Sequence, residues 1–445
     1  MPSREFKKSY EKSALRFYIK TYGCQMNKHD SSIVKGLLAK DGYEETNNPE
    51  DADLILLNTC SVRRHAEARA IGRANNLTNL KAKNPDLVIG IIGCLAQSKG
   101  AKVIQDAPCV DLVVGPDCYR DLPELIRSYT KSRRSVVLTE VRQSETYGDL
   151  NARPDAISAF IPIMRGCNNF CSYCIVPYTR GRERSRPARE IVGEVRELTR
   201  NDVKEITLIG QNVNSYNDGE HGFADLLRIV DSAVGDARIR FTTSHPRDLG
   251  DEVVSAIVEC ESVCEHIHLP LQSGSSRVLT LMNRGYTVEE YMEKVDTARR
   301  LVKGVALTTD LLVGFPGETD SDFKQTLDVV REIAFDFAYM FAYSTRKKTR
   351  AATMEGQVPR EVRQERLKEL IGIQNKITEE RNRSLVSETV EVLVWGKSKN
   401  NPRENVGKSR TNKDIVFRGE AKAGDYVNVK VEELRGWTAY GRIVG

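Results

Sequence analysis

The chain has 445 residues, 40% of them hydrophobic and 29% charged, with a formal net charge of +5. That length excludes a single core and predicts about three domains, while the mild charge makes the placement of basic residues more telling than their number. No run approaches the ~18 apolar residues of a membrane span. The polar start MPSREFKKSYEKSALRF has no apolar leader, so a cytoplasmic protein without membrane attachment is expected. In a reducing compartment its ten cysteines point to metal or redox chemistry rather than to disulfides.

Residues 16–132 alternate strand and helix patterns. Strands are predicted at Arg16–Lys20, Asp53–Asn58, Leu87–Ile92 and Asp111–Val114, and helices around 29–41, 64–80, 97–105 and 121–130. This is the signature of βαβ units and a parallel sheet. Cys24, Cys60 and Cys94 each fall just past a predicted strand. Strand ends of an open α/β sheet share one ligand-binding edge, so the three thiols can converge there. The alternative is three unrelated buried thiols. Cys109 and Cys118 lie off this pattern and are read as structural. Residues 133–155, with a short apolar run at Val136–Leu138, read as a connection between domains.

Residues 156–345 repeat βα units. Strands are predicted at Ala159–Met164, Glu205–Ile209, Arg238–Thr242, His266–Leu269, Ala306–Val313 and Phe337–Ala342, with helices near 188–200, 222–234, 248–259, 287–302 and 319–333. Six units make a partial (β/α) barrel rather than the closed eight. Polar residues gather after the strands, so Gln211, Asn212, Ser244, Gln272, Ser273, Arg284 and Asp310 are candidate cofactor or substrate contacts on the active face. Cys260 and Cys264 are read as structural, and His245, His266 and His268 as packing or hydrogen-bonding histidines.

The stretch RGCNNFCSYCIVPYTRGRERSR (165–186) follows the first barrel strand and spaces Cys167, Cys171 and Cys174 as C-x3-C-x2-C. A structural zinc site wants four ligands and a ferredoxin run brings a fourth cysteine. Three cysteines on an iron–sulfur cluster would leave one iron open to a small molecule. Arg180, Arg182, Arg184 and Arg186 crowd beside them, either to hold phosphates or to pair with neighbouring acids.

Residues 359–383 read as a helix packed on the barrel. Residues 386–445 are β-rich with interspersed glycines and predict a small antiparallel barrel. The segment 397–413 carries Lys397, Lys399, Arg403, Lys408, Arg410 and Lys413 against the single acid Glu404. It is read as an RNA-contacting loop, the alternative being a solvated basic surface.

The cysteine motif after a first barrel strand resembles that of radical S-adenosylmethionine (SAM) enzymes. Together with YGCQMN, LNTC, VPYTRGRERSR, LIGQNVNSY, HLPLQSGS, LLVGFPGET and VWGKSKNNPRENVGKSRTNK, the chain resembles the radical SAM methylthiotransferases, most closely the MiaB branch that modifies tRNA. The resemblance covers residues 16–445. It implies an N-terminal α/β domain at 15–132 with an auxiliary 4Fe–4S cluster on Cys24, Cys60 and Cys94. It implies a radical SAM core at 153–383 with a 4Fe–4S cluster on Cys167, Cys171 and Cys174, and a TRAM RNA-binding domain at 386–445. The activity implied is methylthiolation at C2 of N(6)-isopentenyladenosine 37 in the tRNA anticodon stem-loop. It would use two SAM per turnover, a reductase or flavodoxin-type electron donor and a sulfur or cluster-repair carrier. The alternatives are a threonylcarbamoyladenosine tRNA, a ribosomal-protein aspartate, or a non-catalytic RNA-binding iron–sulfur protein. One departure stands out. The family's YS-x-R-x-GT-x-A reads YSTRKKTRA from Tyr343, with Lys348 in place of glycine. Either the loop takes another course, or Lys347, Lys348 and Arg350 strengthen RNA contact.

Overall fold

A computed structural model describes residues 14–61, 64–150 and 157–445. The chain forms two compact units, one up to Arg142 and one from Gln143 onward. The expected domain start at 153 and residues 151–155 of the expected connection lie outside the described residues.

The first unit is a six-stranded, all-parallel sheet. Its order is Glu44–Glu45, Arg16–Tyr22, Leu54–Thr59, Val88–Ile92, Leu112–Val114 and Val136–Leu138. The two central strands, Leu54–Thr59 and Val88–Ile92, are buried along their whole length. That is why they read as continuous apolar runs rather than alternating ones. The apolar run Val136–Leu138 is not part of a connection, as the sequence suggested, but the last strand, paired to Leu112–Val114. The expected helices at 64–80 and 97–105 are each broken in two, at Arg64–Asn76 and Thr78–Lys83 and at Cys94–Lys99 and Lys102–Asp106.

The second unit is built on six parallel strands in chain order: Ser158–Pro162, Glu205–Ile209, Arg238–Phe241, His266–His268, Ala306–Val313 and Phe337–Ala342. Between the third and fourth, Ile239 of the third bridges to Val263, which lies just before the fourth, and the described wall divides into two three-stranded halves. One large core lies between the strands and the amphipathic helices outside, including Ala188–Arg200 and Asp320–Ile333. The helix Arg360–Arg383 packs on the last strand. Its buried Arg366 donates to Glu318 Oε1 (2.7 Å), whose same oxygen accepts from Gly314 N (2.8 Å). This pins the turn that follows the fifth strand.

The C-terminal segment closes into a five-stranded barrel in the order Thr389–Lys397, Asn405–Ser409, Asp414–Arg418, Thr438–Ile443, Tyr426–Arg435. It is not wholly antiparallel, because Asp414–Arg418 runs parallel to Thr438–Ile443. The barrel docks at the starts of the core strands, opposite their carboxyl ends. Arg240 Nη1 and Nη2 donate to the carbonyls of Arg410 (2.8 Å) and Ser409 (2.7 Å), and Tyr426 Oη donates to Lys204 O (2.7 Å).

Candidate active site

The three-cysteine stretch is shaped by a close approach. Met164–Arg165 pairs with Arg184–Ser185, and Gly166 sits between them at φ +80°. A Cβ at Gly166 would lie 1.9 Å from Arg182 O, so only glycine fits. Gly166→Ala is therefore expected to break the turn, lowering stability by more than about 1–3 kcal/mol and emptying the loop of iron. Thermal unfolding and iron analysis check this. The rest of the loop is tied down by its backbone. Ser172 N donates to Met282 O (2.9 Å), Ser172 Oγ to Leu281 O (2.8 Å), and Ala351 N to Ser172 O (2.8 Å).

Cys167 and Cys171 are buried and Cys174 is partly so. Burial pushes the Cys167 thiol up to about 11 and the Cys174 thiol up to about 12. Without a bound group these thiols stay protonated at neutral pH, and a thiol-bound metal would have to displace the protons. Arg284 is buried alongside, with Nη1 3.4 Å from Cys171 Sγ and from Tyr173 Oη, and Nη2 donating to Pro270 O at 3.0 Å. A fixed cation beside three soft donors suits an anionic iron–sulfur cluster.

Around this loop, Asn212 Oδ1, Ser244 Oγ and His245 Nε2 are buried without a hydrogen-bond partner among the described residues. Such groups cost free energy unless a ligand completes them. Asn212 Nδ2 is fixed by Asp248 (2.6 Å), and His245 Nδ1 accepts from Arg247 N (3.3 Å). Burial, then Arg284 and Arg247, lower the His245 pKa to about 2, so this ring is a neutral hydrogen-bonding group. The sequence marked His245 as a packing or hydrogen-bonding residue, and its buried Nε2, without a partner among the described residues, has a hydrogen bond left to make. The clue was its place in SHPR, after a strand end.

The remaining candidates divide. Gln211 Oε1 accepts from Gly166 N (2.5 Å) and so braces the cysteine turn. Gln272 is buried at φ +73°, its backbone paired to Asp310 O and Leu312 N. Asp310 is half-buried, 3.7 Å from His268 Nε2. Ser273 is spent on Thr326 Oγ1 (3.4 Å) and on the amide of Ser275 (3.3 Å), which makes it a structural residue rather than a contact.

In the first unit, Cys24 caps the helix Gln25–Lys40, and its thiol donates to Asn27 Oδ1 (3.3 Å). Cys60 follows Leu54–Thr59, and Cys94 follows Val88–Ile92 after Gly93. The three turns touch. A Cβ on Gly93 would lie 2.5 Å from Asn58 Oδ1, 3.0 Å from Thr59 O and 3.3 Å from Asn27 Nδ2. Cys60 N donates to Tyr22 O (2.9 Å), next to the turn of Cys24. Among the described residues, no three His, Cys, Asp or Glu side chains close on one point as a single ion requires.

The basic residues are redistributed by the fold. Arg180, Arg184 and Arg186 are buried, which corrects their reading as a phosphate-binding row. Arg186 Nη1 pairs with Glu194 (2.8 Å) and donates to Pro162 O (2.9 Å). Only Arg182 of the four is exposed. In the segment 397–413, Arg410 binds Glu265 (2.7 Å) and the carbonyl of Val263 (2.7 Å), and Lys413 binds Asp336 (2.8 Å) and Asn382 Oδ1 (2.6 Å). Both hold the small barrel onto the core and are unavailable to RNA. The segment is also no single loop, since it contains the strand Asn405–Ser409. Lys397, Lys399 and Arg403 remain exposed, and Lys408 lies 5.2 Å over the exposed ring of Trp395 while pairing with Asp414 (3.2 Å).

Comparison with known proteins agrees with this layout. Residues 161–330 match the Radical SAM superfamily, residues 16–115 the Uncharacterized protein family UPF0004, and residues 383–444 the TRAM domain. The fold is similar to that of the radical S-adenosylmethionine methyltransferase TsrM from Kitasatospora setae. The TM-score is 0.59 at 13% identity, over 76% of this chain and 75% of that one. The chain is a radical SAM enzyme. It is 47% identical over 441 residues to the tRNA-2-methylthio-N(6)-dimethylallyladenosine synthase of Moorella thermoacetica, covering 97% of this chain and 99% of the relative. It is 45% identical to that of Thermoanaerobacter pseudethanolicus, over 97% and 93%. The chain belongs to this family of tRNA-2-methylthio-N(6)-dimethylallyladenosine synthases.

Proposed function

We propose that this chain replaces the C2 hydrogen of N(6)-dimethylallyladenosine, at position 37 in the tRNA anticodon loop, with a methylthio group. The observation that carries the proposal is the pair of three-thiol sets, each following the carboxyl ends of parallel strands. Cys167, Cys171 and Cys174 would hold one 4Fe–4S cluster, and Cys24, Cys60 and Cys94 a second. When bound, the first supplies the electron that splits SAM and the second supplies the sulfur. Arg284 stabilises the charge on the Cys171 side of the first set. Asn212 Oδ1, Ser244 Oγ and His245 Nε2 orient the polar groups of SAM, with Asp310 and Gln272 at the edge of the same face. With Nδ1 accepting from Arg247 N, the neutral ring of His245 donates a hydrogen bond from Nε2 without adding charge. The small barrel at the strand starts keeps water from entering the core from that end, as radical chemistry requires. Its exposed Lys397, Lys399 and Arg403, with Lys408 and Trp395, offer a surface for RNA backbone and an unpaired base.

The electron donor is a reductase or flavodoxin-type protein, the auxiliary sulfur is renewed by a sulfur or cluster-repair carrier, and the reaction belongs in the cytoplasm. No helix among the described residues is long and apolar enough to cross a membrane. Anaerobic reconstitution tests the two-cluster reading: about eight irons per chain are expected, and about four would contradict it.

A further inference from the structure

The outer side of the cysteine loop carries side chains that neither cluster nor SAM binding uses. Phe170, inside the loop, is 38% exposed, and Tyr178, just after it, is 45% exposed. Their rings meet edge to face, 6.2 Å between centroids, and the exposed Arg182 lies 5.3 Å over Phe170. Apolar rings of this size at the surface, backed by a cation, form a stacking platform without an occupant in the fold.

A second exposed group is joined to the same loop. Ala351 is buried among Tyr173, Phe315 and Tyr343, and its N–H donates to Ser172 O (2.8 Å), two residues from Phe170. The turn leading to Ala351 presents Lys347, Lys348 and Arg350 to solvent. It is a made structure, with Thr349 N and Oγ1 both donating to Arg346 O (3.2 and 2.7 Å). Lys348 holds φ +73° and Phe170 φ +46°, backbone states that cost non-glycine residues free energy. The turn has therefore kept the course a glycine would take, but carries a lysine there. Two strained positions on one rim, one aromatic and one cationic, mark a site kept for binding rather than for packing. Glu183, the acid beside Arg182, accepts from Ser215 Oγ (2.7 Å) rather than pairing with Arg182.

We propose that this rim grips single-stranded RNA. Phe170 and Tyr178 stack an unpaired base beside the one that enters the core, while Arg182, Lys347, Lys348 and Arg350 hold the phosphates flanking it. This rests on the tRNA reading above and assigns the residues that seize the loop. Stacking tolerates any base, and the cations read only the backbone, so the rim would secure the loop and leave base choice to the core.

The test is fluorescence anisotropy on the reconstituted full chain, with a labelled anticodon stem-loop carrying N(6)-dimethylallyladenosine, between about 50 and 200 mM salt. Phe170→Ala and Tyr178→Ala are each expected to weaken binding by about fivefold or more, with the salt slope unchanged. The triple variant Lys347→Ala, Lys348→Ala, Arg350→Ala is expected to lower the magnitude of the salt slope by about 2, at ~0.7 per phosphate contact. Lys348→Gly separates charge from backbone: affinity falls while thermal stability holds or rises. Iron content is measured on every variant, and if Phe170→Ala loses its cluster, Tyr178→Ala and the triple variant decide. Wild-type affinity and slope in both of these overturn the rim. If the unmutated enzyme does not bind the stem-loop at all, it is the tRNA reading that fails.

Discussion

Replacing Cys24, Cys60 and Cys94 together by alanine is expected to abolish methylthiolation while leaving the reductive cleavage of SAM in place. Iron should fall from about eight to about four per chain. The two thiol sets stand on separate compact units with separate cores, one around Ile55, Leu57, Ile89 and Ile91, the other around the six-stranded wall. Losing Cys24, Cys60 and Cys94 therefore leaves the set of Cys167, Cys171 and Cys174 formed. Cys24 is exposed and contributes little packing, while Cys60 and Cys94 are small buried groups. Truncating each of those two costs on the order of 1 kcal/mol, which a domain of this size tolerates. The complementary triple replacement of Cys167, Cys171 and Cys174 should abolish both SAM cleavage and product. A product still formed without Cys24, Cys60 and Cys94, or SAM cleavage lost with them, would contradict the division of labour.

The second large effect is on stability. Arg240 and Glu205 are both buried, with Nε donating to Oε2 at 2.6 Å, and the other two guanidinium nitrogens donate to the carbonyls of Ser409 and Arg410. Arg240→Ala leaves a buried carboxylate unpaired and takes a donor from two carbonyls, of which only Ser409 O keeps a second one, from Asn412 N at 3.0 Å, among the described residues. Removing one partner of a buried pair costs about 3–5 kcal/mol. At roughly 2 °C per kcal/mol for a unit this large, the melting point should fall by about 6–10 °C. The double variant Arg240→Met, Glu205→Leu should regain most of that loss, since an apolar pair of similar volume avoids the desolvation cost. It should not restore the anchoring of the small barrel, so the segment 405–413 stays more open to proteolysis than in wild type. A melting point for Arg240→Ala within about 2 °C of wild type would show that the pair is no anchor.

Much of this architecture is legible from side-chain pattern alone. Three core strands, Glu205–Ile209, Ala306–Val313 and Phe337–Ala342, fall at their predicted bounds, because βα units impose a rhythm that apolar runs and helix caps mark clearly. Asn405–Ser409 was hidden because Val406 is its one apolar side chain and its centre is Gly407. A Cβ there would lie 2.3 Å from Leu393 O, so the tight barrel demands glycine where a strand pattern would show an apolar residue. Val136–Leu138 was hidden by its shortness among basic residues. The cysteines stand out in the sequence because ligand spacing is local or follows strand ends. The arginines were misassigned because charge is a property of sequence while burial is a property of the fold. Arg180, Arg184 and Arg186 look like a row that could meet phosphates, yet the fold takes all three inside. Lys348 shows the converse. The fold keeps the left-handed turn that glycine would favour, which only the backbone could reveal.

The central claim is that this enzyme places sulfur and a methyl group on one particular carbon of one particular base. Its most direct test is nucleoside mass spectrometry on a dimethylallyladenosine-containing anticodon stem-loop, incubated anaerobically with the reconstituted enzyme, SAM and a reductant. The predicted result is conversion to the 2-methylthio nucleoside, with an unprenylated stem-loop left unchanged. Recovery of the prenylated nucleoside unaltered, while SAM is cleaved in the same reaction, would contradict it.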